Sequence, residues 1–349
     1  MIEGDLQKEG LGLSATDAHK VMTEVDIVFN VAASVNFDDH LHDALWTNYF
    51  GVLNLLAIAE QSKSVKTFTH VSTAYVNSDK QGRIDEKIYD LPSGQDPEQI
   101  VHEIMQLSRE EACRREPLYL GHYPNTYTFT KSLTERTLKK RKSPLKVCIV
   151  RPSIVISAFE EPFLGWTETI SAMGGLLFAG ILGLINYLQV DPHQILDLVP
   201  VDYVSNLILA SANYNFLNGV PGEPLVVHCS SSQLNRVKIW DIVEILKANA
   251  QFNASDKQQK TPAIYLTTSP LLYNSLFFFT QALPVKILAK ISTMPVIGNQ
   301  KLEARAKTFA RLIDKMNSMQ GLFLHFTNNE FIYDSTNSQK IWSSMSPND

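Results

Sequence analysis

Residues 25–33, VDIVFNVAA, form an apolar run ending in small residues, the pattern of a short strand buried on both faces. In the next segment, LHDALWTNYFGVLNLLAIAE (41–60), Leu41, Leu45, Asn48, Val52, Leu55 and Ala59 recur at helical spacing and predict a helix with one dominant buried face. A second buried strand is predicted at 65–73 (VKTFTHVST). A polar, Gly- and Pro-punctuated stretch (78–98), an amphipathic helix (97–115), a helix over 126–142 and a third apolar strand over 145–157 (LKVCIVRPSIVIS) follow. Strands alternating with helices predict a parallel α/β sheet with right-handed crossovers.

Beyond residue 158 the alternation stops. Residues 170–190 carry no charge and are long enough for a membrane span, but they are rich in Gly and lack basic flanks, so a buried loop-helix region is expected. A second apolar stretch, 270–289, contains Pro284 and Lys286 and is expected to be broken at the proline. After about 225 the pattern is mainly helical, apart from a strand-like VVHC (226–229). The expected organisation is a catalytic domain over 1–225 and a helical domain over 226–349.

Composition narrows this picture. The chain has 349 residues, 44% of them hydrophobic, enough to bury a sizeable core. Its net charge of −5 argues against a nucleic-acid partner, which needs a concentrated basic face. The one basic run, Lys139-Lys140-Arg141-Lys142, falls at a predicted helix end, where cations complement the dipole. Cys113, Cys148 and Cys229 are too few and too scattered for a disulfide framework or zinc site and fit a reducing compartment. The polar start, MIEGDLQKEG, does not read as a signal peptide, and the sequon Asn253-Ala254-Ser255 accordingly reads as unused.

The chemistry concentrates in Tyr127-Thr128-Phe129-Thr130-Lys131. Four residues apart on a helix, Tyr127 and Lys131 share a face. A phenol is a poor acid-base group at neutral pH, and a nearby ammonium is expected to lower its pKa. Upstream, Val71-Ser72-Thr73-Ala74-Tyr75 puts two hydroxyls at the carboxyl end of a buried strand, where open parallel sheets bind ligands. Asp38-Asp39-His40-Leu41-His42-Asp43 lacks metal-ligand spacing, and no metal site is expected. No G-x-S-x-G elbow supports a hydrolase.

Hydroxyl, phenol and ammonium in that order resemble the Ser/Thr–Tyr–Lys triad of extended short-chain dehydrogenases and reductases. Asn48 matches that superfamily's helix asparagine. Asp5, in Gly4-Asp5, matches its adenine-side acid; Asn30, Ala32 and Ala33 match its small-residue turn; Pro152, in Arg151-Pro152-Ser153, matches its nicotinamide-side turn. The ordered set VFNVAASVNFDDHL, HVSTAYVN, NTYTFTKSLTE, VCIVRPSIV, GWTET (165–169) and LVPVDYVSN, with the tail from 322 to 349, is similar to alcohol-forming fatty acyl-CoA reductases along essentially the whole chain. The resemblance implies a Rossmann-type doubly wound fold. It also implies NADPH as cofactor and reduction of a long-chain acyl-CoA, through an aldehyde, to a fatty alcohol.

On that resemblance Thr73, with Ser72, stabilises the carbonyl oxygen, Tyr127 donates the proton and Lys131 tunes Tyr127. Asp5, Asn30, Ala32, Ala33, Asn48, Tyr127, Lys131 and Pro152 line the cofactor. The apolar 170–190 region becomes a candidate acyl channel. No strand–glycine-rich turn–helix precedes Asp5, so the expectation is a sheet without its first βαβαβ half, an N-terminally truncated piece with strand 25–31 at an open edge. Gly174, Gly175, Gly180 and Gly183 lack the context of a phosphate loop. Two alternatives share these motifs: another extended-family enzyme, such as a hydroxysteroid dehydrogenase or epimerase, and an inactive paralogue. The resemblance places the protein on the cytosolic face of the peroxisome or endoplasmic reticulum, or otherwise in the cytoplasm. Membrane association and oligomeric state stay open.

Overall fold

The computed structural model describes residues 1–91, 94–168, 172–252, 263–294 and 300–346. Asn253 to Ser255, Thr169 and the last three residues, all mentioned above, lie outside these. The chain divides into two compact units. The first comprises Met1–Trp166, Asp197–Asn235 and Phe331–Asp349; the second comprises Thr167–Leu196 and Arg236–Glu330. A single boundary after residue 225 does not describe this division. Leu225–Cys229 is a sheet strand of the first unit, and Phe331–Tyr333 returns to that unit to pair in parallel with Gly82–Ile84. Hydropathy periodicity is local and carries no record of which sheet a returning segment joins.

The first unit is built on four parallel strands in spatial order: β1 (Ile27–Asn30), β2 (Thr67–Val71), β3 (Lys146–Pro152) and β4 (Leu225–Cys229). The pleat sorts their side chains. Val28, Phe68, Val147, Ile149 and Val226 pack on one face with Val52 and Leu56 of helix α1 (Gly51–Gln61) and Leu138 of helix α2 (Thr126–Arg141). Cys148, Val150 and Val227 face the other way, onto Leu207 and Ile208 of helix Val201–Asn218 and Ile341. The predicted parallel α/β sheet with helices on both faces is thus present. Among the described residues β1 bonds only to β2, and Ile27 and Phe29, on its second face, are exposed.

Several predicted elements are subdivided. The 41–60 helix runs as Leu41–Leu45, a π-helical turn Trp46–Phe50 and α1. The 97–115 helix is two, Pro97–Gln106 and Arg109–Leu120, the second capped by Ser108, whose Oγ accepts from the Glu111 amide at 3.2 Å. The 145–157 strand divides at Ser153, after which Ile154–Ile156 pairs with Leu198–Pro200. Helix Ala15–Glu24, capped by Ser14, was not legible: it has no fully buried residue to mark a face.

In the second unit, residues 170–190 contain a ten-residue helix, Ala172–Ile181, then a turn and strand Tyr187–Gln189 paired with Tyr265–Thr267. Gly174, Gly175 and Gly180 lie inside that helix, and Gly183 turns the chain at φ 71°. The buried loop-helix reading therefore stands, with Ala179, Ile185 and Val190 in the core. Residues 270–289 depart from expectation. The helix continues from Pro270 to Ser292 through Pro284, because a π-turn at Phe278–Ala282 precedes the proline and widens the coil where its missing N–H would break the ladder. By length and composition alone this helix could cross a membrane, and almost none of its apolar stretch is buried.

Candidate active site

α2 begins at the carboxyl end of the sheet because Asn125 caps it there, its Oδ1 accepting from the Thr128 amide at 2.9 Å. Its sequence, TYTFTKSLTERTLKKR, is polar, yet Thr128 to Leu138 are buried. The threonines make this tolerable by satisfying themselves locally. Thr130 Oγ1 donates to Thr126 O, and Thr134 Oγ1 to Thr130 O and to Asn48 O, each at 2.8 Å.

Tyr127, in the first turn, stacks on Phe37 at 5.8 Å, and the Thr73 side chain lies near its phenol. Burial pushes the phenol up to about 12, with the neighbouring Thr73 hydroxyl opposing. Lys131, one turn later, is buried and its Nζ donates to Val71 O at 2.9 Å. Burial brings its ammonium down to about 8, with Glu135 opposing. The expected lowering of Tyr127 by Lys131 is therefore not what this geometry produces. The ammonium is turned to a backbone carbonyl, and enclosure dominates the phenol.

Ser72 and Thr73 are buried at the end of β2. The Ser72 amide donates to Val150 O at 2.7 Å, while Thr73 Oγ1 caps the turn Ala74–Asn77 by accepting from the Tyr75 amide. Asn48, in the π-turn, ties the loop after β1 to α2. Its Oδ1 accepts from Ser34 N at 2.9 Å, and its Nδ2 donates to Ser34 O at 3.1 Å and Thr130 Oγ1 at 3.3 Å. That loop carries Ala32, exposed, and Ala33, half-buried. Pro152 is buried at the end of β3, where the next residue, Ser153, donates to Asp197 at 2.6 Å.

Three side chains beside these groups are buried with polar atoms that have no hydrogen-bond partner among the described residues: both amide atoms of Asn30, both ring nitrogens of His70 and the Ser72 hydroxyl. Asn30 and His70 are register partners across β1 and β2. Each such unmade bond costs about 1–3 kcal/mol, so together they fit a polar ligand laid across the strand ends. His70 was not anticipated, since a histidine inside a strand run gives no outward signal. Asp5 stands apart: it is exposed in the N-terminal turn and bonds Gln7, Lys8 and Leu11.

A further group escaped the sequence reading. Arg151, fully buried, donates from Nε to both Glu135 oxygens at 2.9 and 3.2 Å and from Nη2 to Lys87 O, and its Nη1 meets His228 Nε2 at 3.2 Å. Burial and the Arg151 charge hold His228 neutral, near 3, so Nδ1–H donates to Asp334 O and Nε2 accepts. The one available signal was the four-residue spacing of Lys131 and Glu135. The basic run at the end of α2 pairs with Asp90, Asp96, Glu98 and Glu60. Around residue 40, Asp43 is held by Arg109 at 2.7 and 2.8 Å, and His42 by Ile104 O.

A family model described as Male sterility protein, of NAD-binding type, matches residues 1–208. Fatty acyl-CoA reductase 1 of Xenopus laevis is 29% identical over 348 residues, which cover 100% of this chain and 65% of that protein. The Homo sapiens protein of the same name is 28% identical with the same coverage. The chain thus spans just under two thirds of these relatives' length. Among solved structures, the terminal R domain of the myxalamid PKS-NRPS biosynthetic pathway superimposes with a TM-score of 0.62 at 16% identity, over 99% of this chain and 69% of that one. MoeE5, solved with UDP-glucuronic acid and NAD, superimposes with a TM-score of 0.53 at 13% identity, over 98% and 78%. These likenesses establish a Rossmann-type α/β fold.

Proposed function

This chain belongs to the Male sterility protein family of NAD-binding domains, and on that premise we propose that it reduces long-chain fatty acyl-CoA to fatty alcohol with NADPH, by way of the aldehyde. The observation that carries the reading is the Lys131 Nζ bond to Val71 O, which fixes α2, with Tyr127 one turn earlier, against the strand end that carries Ser72 and Thr73 at the carboxyl end of the parallel sheet.

The nicotinamide end of the cofactor fits the unpartnered Asn30, His70 and Ser72, with Ala32, Ala33, Asn48 and Pro152 around it; Asp5 is assigned to the adenine side by resemblance alone. NADPH supplies the hydride. The residues of this chain do the rest. Thr73 and Ser72 donate to the substrate carbonyl oxygen and stabilise the charge that develops there. Tyr127, which near 12 stays fully protonated at neutral pH, donates the proton to that oxygen as the alcohol forms. Lys131 keeps a positive charge beside the strand end that carries both hydroxyls. In the first round the tetrahedral adduct collapses by expelling the CoA thiolate; in the second, the aldehyde takes a hydride and the Tyr127 proton.

The chain-length reading is supported by the apolar lining of Leu177, Ile185, Leu188, Ile242, Leu246 and Phe323 in the second unit. The cavity they enclose is only about 50 Å³, less than two water volumes, so an acyl chain would have to part these side chains. We assign the protein to the cytosolic face of a peroxisomal or endoplasmic-reticulum membrane, a reading supported by the exposed apolar helix Pro270–Ser292. The direct test is to incubate the protein with palmitoyl-CoA and NADPH and measure hexadecanol. Alcohol production undiminished by Tyr127→Phe would overturn the mechanism.

A further inference from the structure

The helix Pro270–Ser292 presents Leu271, Leu272, Phe278, Phe279, Ile287 and Met294 just beyond its end to solvent, with Leu271 81% and Phe279 64% exposed. A cluster of this size on a protein surface marks an interaction site. Its other side is occupied. Tyr273 Oη donates to Asn317 Oδ1 at 3.0 Å, and Pro284 and Val285 line a cavity of about 220 Å³ with Phe309, Leu312 and Ile313 of helix Gln300–Thr327. A helix held on one side by a neighbouring helix that carries lysines, arginines and acids cannot cross a bilayer alone. It can lie in the plane of one, with its free side down.

Charge identifies the partner. The sequence from Lys257 to Leu302 contains five lysines (257, 260, 286, 290 and 301) and no acidic residue, within a chain whose net charge is −5. Lys286 and Lys290 are exposed on the helix itself, interleaved with Ile287. Lysines beside exposed phenylalanines are the pattern that anionic lipid headgroups attract, the cations meeting phosphate while the rings enter the acyl boundary.

We infer that the second unit docks on an anionic bilayer through Leu271, Leu272, Phe278, Phe279, Lys286 and Lys290, with this helix in the interface plane. The inference rests on the membrane assignment above and names the surface that makes it. It also places the 220 Å³ cavity directly behind the docking helix.

Flotation of the intact protein with phosphatidylcholine vesicles containing about 30% phosphatidylserine tests it. The protein should float with these vesicles, not with pure phosphatidylcholine, and be released by about 0.5 M salt. Lys286→Glu/Lys290→Glu and Phe278→Ser/Phe279→Ser should each reduce binding at least about tenfold with unchanged circular dichroism. A Phe279→Trp variant should show blue-shifted emission on anionic vesicles. Binding that survives both double substitutions, or an unshifted tryptophan, overturns the inference. So does absence of binding together with a dimer that Phe278→Ser/Phe279→Ser dissolves, which would make a second copy the occupant. Vesicle binding needs no turnover, so a docked protein that forms no alcohol would sink the reductase reading and leave the docking intact.

Discussion

Lys131 and Val71 are joined by a 2.9 Å hydrogen bond from ammonium to carbonyl oxygen, which ties the middle of α2 to the strand end immediately before Ser72 and Thr73. A charge enclosed in this way carries a desolvation cost, seen in its fall from 10.5 to about 8.

That depression makes stability depend on pH. Between about 8 and 10.5 the unfolded chain holds a proton that the folded chain has lost, so the Lys131 contribution rises with pH through that window and its cost is full below 8. The difference amounts to at most about 3 kcal/mol. Urea unfolding of wild type and Lys131→Met should show the variant's relative stability declining from pH 7.5 to pH 10.5. A difference constant across that range would refute the buried ammonium.

Catalysis should follow the same group. Tyr127 stays protonated to about 12, so the alkaline limb of kcat/KM belongs to Lys131 and should fall near pH 8. Lys131→Arg, if it folds, should move that limb above about pH 10, since arginine keeps its proton. A limb left in place by the substitution would assign it to another group.

The hydroxyl pair should separate by role. Tyr127→Phe is expected to lower kcat by roughly 10²–10⁴-fold with little change in KM, as loss of a proton donor does. Thr73→Val should lower kcat by about 10²–10³-fold, whereas Thr73→Ser, which keeps the donor, should recover most of it. Steady-state kinetics at fixed NADPH checks both, and a Thr73→Val enzyme of normal kcat would remove Thr73 from the site.

Glu135 and Arg151 form a buried pair in which neither charge reaches water. Arg151→Met alone should destabilise the fold by about 3–5 kcal/mol by stranding the Glu135 carboxylate, and Arg151→Met/Glu135→Leu should recover much of that loss. Glu135 also raises Lys131, so Glu135→Gln should shift the alkaline limb of kcat/KM below 8. Equal losses for the single and double variants, measured by urea unfolding, would show that the pair is not coupled.

Much of the candidate site's framework was legible because parallel strands buried on both sides write themselves as apolar runs, and because a helical spacing of four sets Tyr127 above Lys131. Thr73 was placed by standing at the end of such a run. Asn30, His70 and Arg151 were harder to read for one shared reason. A polar residue inside a strand looks the same whether it meets a neighbour, an ion-pair partner or a ligand, and only adjacency across the sheet distinguishes these. Pro284 misled because the rule against proline in a helix assumes an α coil, and the π-turn before it removes that assumption.

The sequence alone determined the strand–helix alternation, the face shared by Tyr127 and Lys131, and the family likeness, since each is written in short-range spacing along the chain. Tertiary structure decided what spacing cannot encode. It put Leu225–Cys229 beside β3 and returned residues 331–333 to the first unit. It turned the Lys131 ammonium onto Val71, so that burial and not a neighbouring charge sets the Tyr127 phenol. The reason is that a pKa depends on what surrounds a group in space, and those surroundings come from segments far apart in the chain.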